Sequence, residues 1–419
     1  MRKYIIIAAA LCCAAFLIYW IFLRPWGAAA LYPAAEDCSQ DLAVFEGIIE
    51  NYDTVNDDLY IIEHPAALTI AEDTAEKFAE ELAEEPIDFI DERINQMTIY
   101  EKIGQLFIPR LPGSQRAHSL IEDYHVGGFI LFSEHVSSTE QVQHLIADLQ
   151  EASDIPLFIA VDEEGGRVSR VGRLFPKRIG TAFSIGNTGD PQAAYDAYYT
   201  IGRQLTYLGF NMNFAPVADI WTNPANRVIG DRAFAAEPEL AAVMTGYAVR
   251  GLQDAGILSV IKHFPGHGDT VEDSHYIMAF YHHDRERFDS IEAIPFRKGI
   301  EAGAAGVMVG HIATPLLHPE YPSKPAVFSS YLMEHVLREE WGFKGLIVTD
   351  ALDMRGLTNY YSGDDIVLNA FLGGADILLM PANPEQAITA MVEAYREGLF
   401  TQERLHESLR RIMRHKMEF

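Results

Sequence analysis

Leu157-Phe158-Ile159-Ala160-Val161-Asp162-Glu163-Glu164-Gly165-Gly166-Arg167 (residues 157–167) is five apolar residues that stop at a charge. A run this short and this apolar suits a strand buried on both faces, as in parallel sheets covered by helices. Seven more runs share the form: Leu106–Leu111, Gly128–Phe132, Met212–Pro216, Ser259–His263, Gly306–Gly310, Leu346–Thr349 and Ile377–Met380. Longer stretches with helical spacing separate them. Ahead of the first, Thr98 and Glu101 make a capping box before Ile103, Leu106 and Phe107. Eight β units with helical spacers predict an α/β chain whose residues 93–419 form a single (β/α)8 TIM barrel. An open doubly wound sheet is the alternative.

Toward the N-terminus the composition changes. Arg2 and Lys3 precede an uncharged stretch, Tyr4–Leu23, with Tyr19, Trp20 and Phe22 near its far end. As a helix it would span about 30 Å, the thickness of a bilayer core. Residues 1–30 are therefore expected to be an uncleaved signal anchor, with a cleaved signal peptide as the alternative. The basic end should stay inside, which places the rest of the chain outside the cytoplasm. Residues 31–92 hold 19 acidic side chains and one basic one, Lys77, and read as an acidic stalk. The 419-residue chain carries 60 acidic against 32 basic side chains, a net charge of −28. That balance argues against a nucleic-acid partner, which needs a basic footprint. Cys12, Cys13 and Cys38 have neither metal-ligand spacing nor the numbers for a disulfide framework.

Catalytic residues of a barrel gather where its strands end. Four runs end in groups able to do chemistry: Asp162, Lys262-His263, His311 and Asp350. The densest stretch runs from Lys262 to His275 and holds three His and two Asp. That mixture invites a metal reading, but Pro265, Gly266 and Gly268 force a loop and forbid a helical pair of ligands. Acid–base chemistry is the alternative. Asp273 and His275 are two apart, so on an extended loop their side chains share a face. A carboxylate on one imidazole nitrogen sets the tautomer and raises the basicity of the other, which suits His275 to proton transfer. Asp350 follows Leu346-Ile347-Val348-Thr349. It is read either as a carboxylate that attacks an anomeric carbon or as a cap for the next helix.

The run Lys262–His275, with Asp162-Glu163-Glu164-Gly165-Gly166-Arg167 before it and Thr349-Asp350-Ala351-Leu352 after it, resembles glycoside hydrolase family 3. Within that family it resembles the NagZ-type β-N-acetylglucosaminidases. Asn213–Asp219, Gly230–Phe234 and Gly374–Pro381 also match, and the likeness covers residues 93–417. The resemblance implies retaining hydrolysis of terminal, non-reducing β-linked N-acetylglucosamine, from peptidoglycan fragments or other amino-sugar oligosaccharides. It implies Asp350 as nucleophile and His275, paired with Asp273, as general acid and then general base. It implies Asp162, Arg170, Arg232, Lys262 and His263 as substrate-binding residues, with Met308 and His311 at the pocket floor. No metal or organic cofactor is implied. Many β-glucosidases of the family draw a Glu acid from a second α/β domain. This chain ends at Phe419, so the acid is expected from the barrel loops. Alternatives are a β-N-acetylglucosaminide phosphorylase, a non-catalytic surface sugar-binding protein and a metal-dependent hydrolase.

Overall fold

The computed structural model describes residues 89–317 and 324–417, all within the unit Glu80–Phe419. Each of the eight apolar runs overlaps a strand. These are β1 (Phe107–Ile108), β2 (Gly128–Leu131), β3 (Phe158–Val161), β4 (Met212–Asn213), β5 (Leu258–Phe264), β7 (Gly306–Val309), β9 (Leu346–Thr349) and β10 (Leu378–Leu379). Two short strands in the loops, β6 (Ala279–Phe280) and β8 (Ile312–Ala313), pair with each other. Apart from Phe280, every strand residue is buried, as runs without polar alternation require.

Helices cross between successive strands. Thr139–Glu151 joins β2 to β3, Pro191–Leu208 joins β3 to β4, and Pro238–Asp254 joins β4 to β5. Their ends are written locally. Asp190 caps the second of them through the Gln192 N–H, Pro191 occupies its first turn, and Gly209 closes it in the left-handed conformation. At the entry to the domain Thr98 and Glu101 satisfy each other's backbone N–H groups at 2.6 and 3.2 Å. Phe107, Phe129, Phe158, Phe214 and Phe264 fill the core between strands and helices with almost no exposure. Each such ring contributes roughly 1.5–3 kcal/mol by leaving water.

The expected single closed TIM barrel is corrected. The continuous ladder is a curled, six-stranded parallel half-barrel in the order β2-β3-β4-β5-β7-β9. β1 and β10 form a separate two-stranded parallel sheet. Isolated bridges, Arg110 with Ile130 and Val348 with Ile377, and separate backbone bonds such as Gly127 N–H to the Phe107 carbonyl and Thr349 N–H to the Ile377 carbonyl, link that pair to β2 and β9 without a continuous ladder. The physical reason lies in the residues that end both short strands. Pro109 follows β1 and has no N–H to extend a ladder. Met380 follows β10 with a φ of 48°, which turns the chain out of the extended conformation.

The expected anchor finds no support among the described residues. Tyr4–Leu23 and the stalk as far as residue 88 lie outside the described residues, and no described helix is long and apolar enough to cross a membrane.

Candidate active site

The C-terminal ends of β2, β3, β5, β7 and β9 border one cleft of about 600 Å³. It is lined by all eight residues singled out above: Asp162, Arg170, Arg232, Lys262, His263, Asp273, His275 and Asp350. Met308 lines it too. His311 does not; it is fully buried beside the cleft. Lys262 and His263 are consecutive strand residues, which ordinarily point to opposite faces. The pairing of β5 with β7 shifts register between Ile261 and Phe264, and that irregularity lets both side chains reach the cleft.

A buried charge cluster forms one wall. Lys262 Nζ lies 2.5 Å from Asp162 Oδ1 and 2.7 Å from Glu164 Oε1. Arg232 grips the same Glu164 through two bonds of 2.8 Å. Burial alone would raise the Glu164 carboxyl, but the Arg232 and Lys262 charges hold it far below the usual range. Burial alone would lower Lys262, but Asp162 and Glu164 keep its ammonium above the ordinary value. Both groups are therefore ionised at neutral pH.

Neighbouring Glu163 has a different task. Its backbone N–H and C=O are both bonded by Asn213 at 2.9 Å, and its carboxylate accepts from the Arg170 and Val171 N–H groups at 2.6 and 2.8 Å. This folds the loop after β3 so that the Arg170 guanidinium stands 5.4 Å from the Phe132 ring centre, a cation–π arrangement.

Asp350 follows β9 directly. Its N–H donates to the Val309 carbonyl at 2.9 Å, and its Oδ1 accepts from the Ala351 N–H at 2.7 Å. Burial would raise this carboxyl, but His311, His263 and the Ala351 N–H outweigh it and leave it below the usual value. His311 Nε2 sits 2.7 Å from the Ala351 carbonyl, to which it must donate, so the imidazole braces the segment that carries Asp350.

Asp273 and His275 stand at the rim, with 38% and 59% of their side chains exposed. Asp273 Oδ1 accepts from the His275 backbone N–H at 2.9 Å and lies 2.7 Å from its Nδ1. That contact leaves Nε2 as the nitrogen able to exchange a proton with a substrate. Among the described residues no group of three or more His, Cys, Asp or Glu side chains converges to hold a metal ion.

Sequence reasoning gave no role to Glu164, Asn213, Asp219 or His267. Asp219 is buried, with Oδ2 2.6 Å from His263 Nδ1 and Oδ1 2.6 Å from the His267 N–H. The available signal was weak: a carboxylate three residues beyond the apolar run Met212–Pro216.

Residues 98–415 match the model of the glycosyl hydrolase family 3 N-terminal domain. The chain is 38% identical over 325 residues to a β-hexosaminidase A of Pseudoalteromonas piscicida, covering 71% of this chain and 54% of that relative. It is 35% identical over 277 residues to a β-hexosaminidase of Nitrosospira multiformis, covering 64% and 77%. The solved family 3 β-N-acetylglucosaminidase from a Paenibacillus species is 39% identical, with a TM-score of 0.74, over 77% of this chain and 62% of that one. The chain thus spans about half the length of the first relative. A family match that runs the length of the described fold, laid over a cleft built by the strand ends, shows that the chain belongs to glycosyl hydrolase family 3.

Proposed function

We propose that this chain hydrolyses terminal, non-reducing β-linked N-acetylglucosamine from amino-sugar oligosaccharides, peptidoglycan fragments among them, with retention of configuration. One observation carries the reading: a half-buried, ionised carboxylate, Asp350, shares its cleft with a carboxylate–imidazole dyad, Asp273–His275. The similarity to proteins named β-hexosaminidase and β-N-acetylglucosaminidase supports the choice of sugar.

In the first step the Asp350 carboxylate attacks the anomeric carbon. The bond to the glycosidic oxygen breaks, and His275 Nε2 gives that oxygen its proton. The sugar is then esterified to Asp350 and the imidazole is neutral. In the second step His275 Nε2 takes a proton from water, the water oxygen bonds to the anomeric carbon, and Asp350 leaves as a carboxylate. Asp273 holds Nδ1 throughout and stabilises the imidazolium. Asp162, Lys262, Arg232, His263 and Arg170 would hold the ring hydroxyls and the acetamido group, the ionised members at fixed positions before substrate arrives.

Proton NMR of the first-formed sugar tests the reading. A β anomer is expected, and an initial α anomer would overturn it. Parallel assays with phosphate distinguish water from phosphate as acceptor: N-acetylglucosamine 1-phosphate as product would replace hydrolysis by phosphorolysis. The uncharged run Tyr4–Leu23 behind Arg2 and Lys3 supports a separate proposal, that the hydrolase acts outside the cytoplasm. Cleavage of an impermeant aryl glycoside by intact cells tests it, and activity confined to lysates would refute it.

A further inference from the structure

Ser274 lies between the two members of the dyad and, unlike them, is buried. Its hydroxyl is 2.9 Å from Nε2 of His267, which is also buried. Thr270 Oγ1 lies 2.6 Å from Nδ1 on the other side of the ring, so both ring nitrogens are held. Burial, with His263 adding to it, pushes His267 down to about 4, so the ring stays neutral at working pH.

His267 belongs to the fixed wall of the cleft. Its N–H donates to Asp219 Oδ1 at 2.6 Å and its carbonyl accepts from Asn226 Nδ2 at 2.7 Å. The next residue, Gly268, packs so closely on the Ile220 carbonyl that a Cβ there would overlap it. The dyad instead rides on a compact turn, in which the Tyr276 and Ile277 N–H groups both donate to the Asp273 carbonyl, at 2.9 and 3.1 Å. Backbone bonds from Arg355 and Gly356 hold this turn by the carbonyls of His275 and Ser274. The Ser274 side chain ties it to the opposite wall, where the sugar-binding residues sit.

We infer that His267 and Ser274 are positioning residues: together they latch the acid–base turn in register with the sugar-binding wall, and Asp219 is the shared anchor. The other Asp219 oxygen holds His263 Nδ1, so one carboxylate sets both the wall and the latch. The inference rests on the proposed role of His275 as proton carrier. With the latch broken, His275 keeps its chemistry but spends less time at the glycosidic oxygen. In the glycosylation step, substrates that need a proton on the leaving group should suffer, and activated ones should not.

The test compares the full chain with its Ser274→Ala and His275→Ala variants on N,N′-diacetylchitobiose and on 2,4-dinitrophenyl N-acetyl-β-glucosaminide. Ser274→Ala is expected to lower kcat/KM, which reports the glycosylation step, about five- to tenfold on the disaccharide, the scale of one lost hydrogen bond, and at most about twofold on the aryl glycoside. His275→Ala should show the same discrimination, larger. If His275→Ala lowers kcat/KM equally on both substrates, the proton role itself fails. If His275→Ala discriminates while Ser274→Ala slows both alike or neither, the latch alone is overturned.

Discussion

Nζ of Lys262 lies 2.7 Å from Oε1 of Glu164, and neither side chain is more than 3% exposed. The pair is charged and nearly dry, and Arg232 completes it from the other side. Replacing one member leaves a buried charge without its partner, which costs about 3–5 kcal/mol. Glu164→Gln should therefore lower stability by about 3 kcal/mol or more in urea unfolding and raise KM at least tenfold, on the order of one lost charged contact. An unchanged unfolding midpoint would show that Asp162 alone satisfies both cations.

Asp350→Asn removes the carboxylate proposed as the nucleophile while keeping its size and its bond from the Ala351 N–H. Turnover should fall at least about a thousandfold, as for other nucleophiles that act within a group. Calorimetric titration with N-acetylglucosamine should still detect binding within a few-fold of wild type. Residual hydrolysis near the wild-type rate would place the nucleophile elsewhere.

Asp273 sets the tautomer of His275 through the 2.7 Å contact to Nδ1. Asp273→Asn can present an amide N–H there instead, and the imidazole then turns its proton the wrong way. We expect kcat on chitobiose to drop at least about a hundredfold, with KM changed little. A variant within threefold of wild type would remove Asp273 from the proton path.

His267 gives the fold a pH dependence whose sign is determined. Its folded value, about 4, lies below the ordinary 6.5, so the unfolded chain binds more protons between those limits. Its contribution is present above pH 6.5 and is lost as pH falls toward 4. Denaturation midpoints of wild type and His267→Gln across this window check it. The variant should lose up to about 1.4 kcal/mol per pH unit of the wild-type slope. Equal slopes would mean that His267 is solvated or charged in the folded state.

Strand positions, and the side chains that end the strands, follow from short stretches of sequence. Eight apolar runs became strand positions because a residue buried on both faces leaves no room for polar alternation, and that signal is local. The residues closing those runs, Asp162, Lys262, His263 and Asp350, came to one cleft because parallel strands end on the same side. Closure of the sheet was not legible. It depends on whether ladders continue past Pro109 and Met380, a matter of backbone hydrogen bonding between distant segments. Glu163 and Glu164 show the same limit within the site. The two side chains are identical and adjacent, yet one binds backbone N–H groups that shape a loop and is pushed up by burial, while the other is held down by Lys262 and Arg232. Only the tertiary structure separates them, because the partners of Glu164 come from segments 68 and 98 residues away (232 − 164 and 262 − 164), whereas those of the Glu163 carboxylate lie in its own loop. Electrostatic environment, unlike strand propensity, is set by neighbours in space.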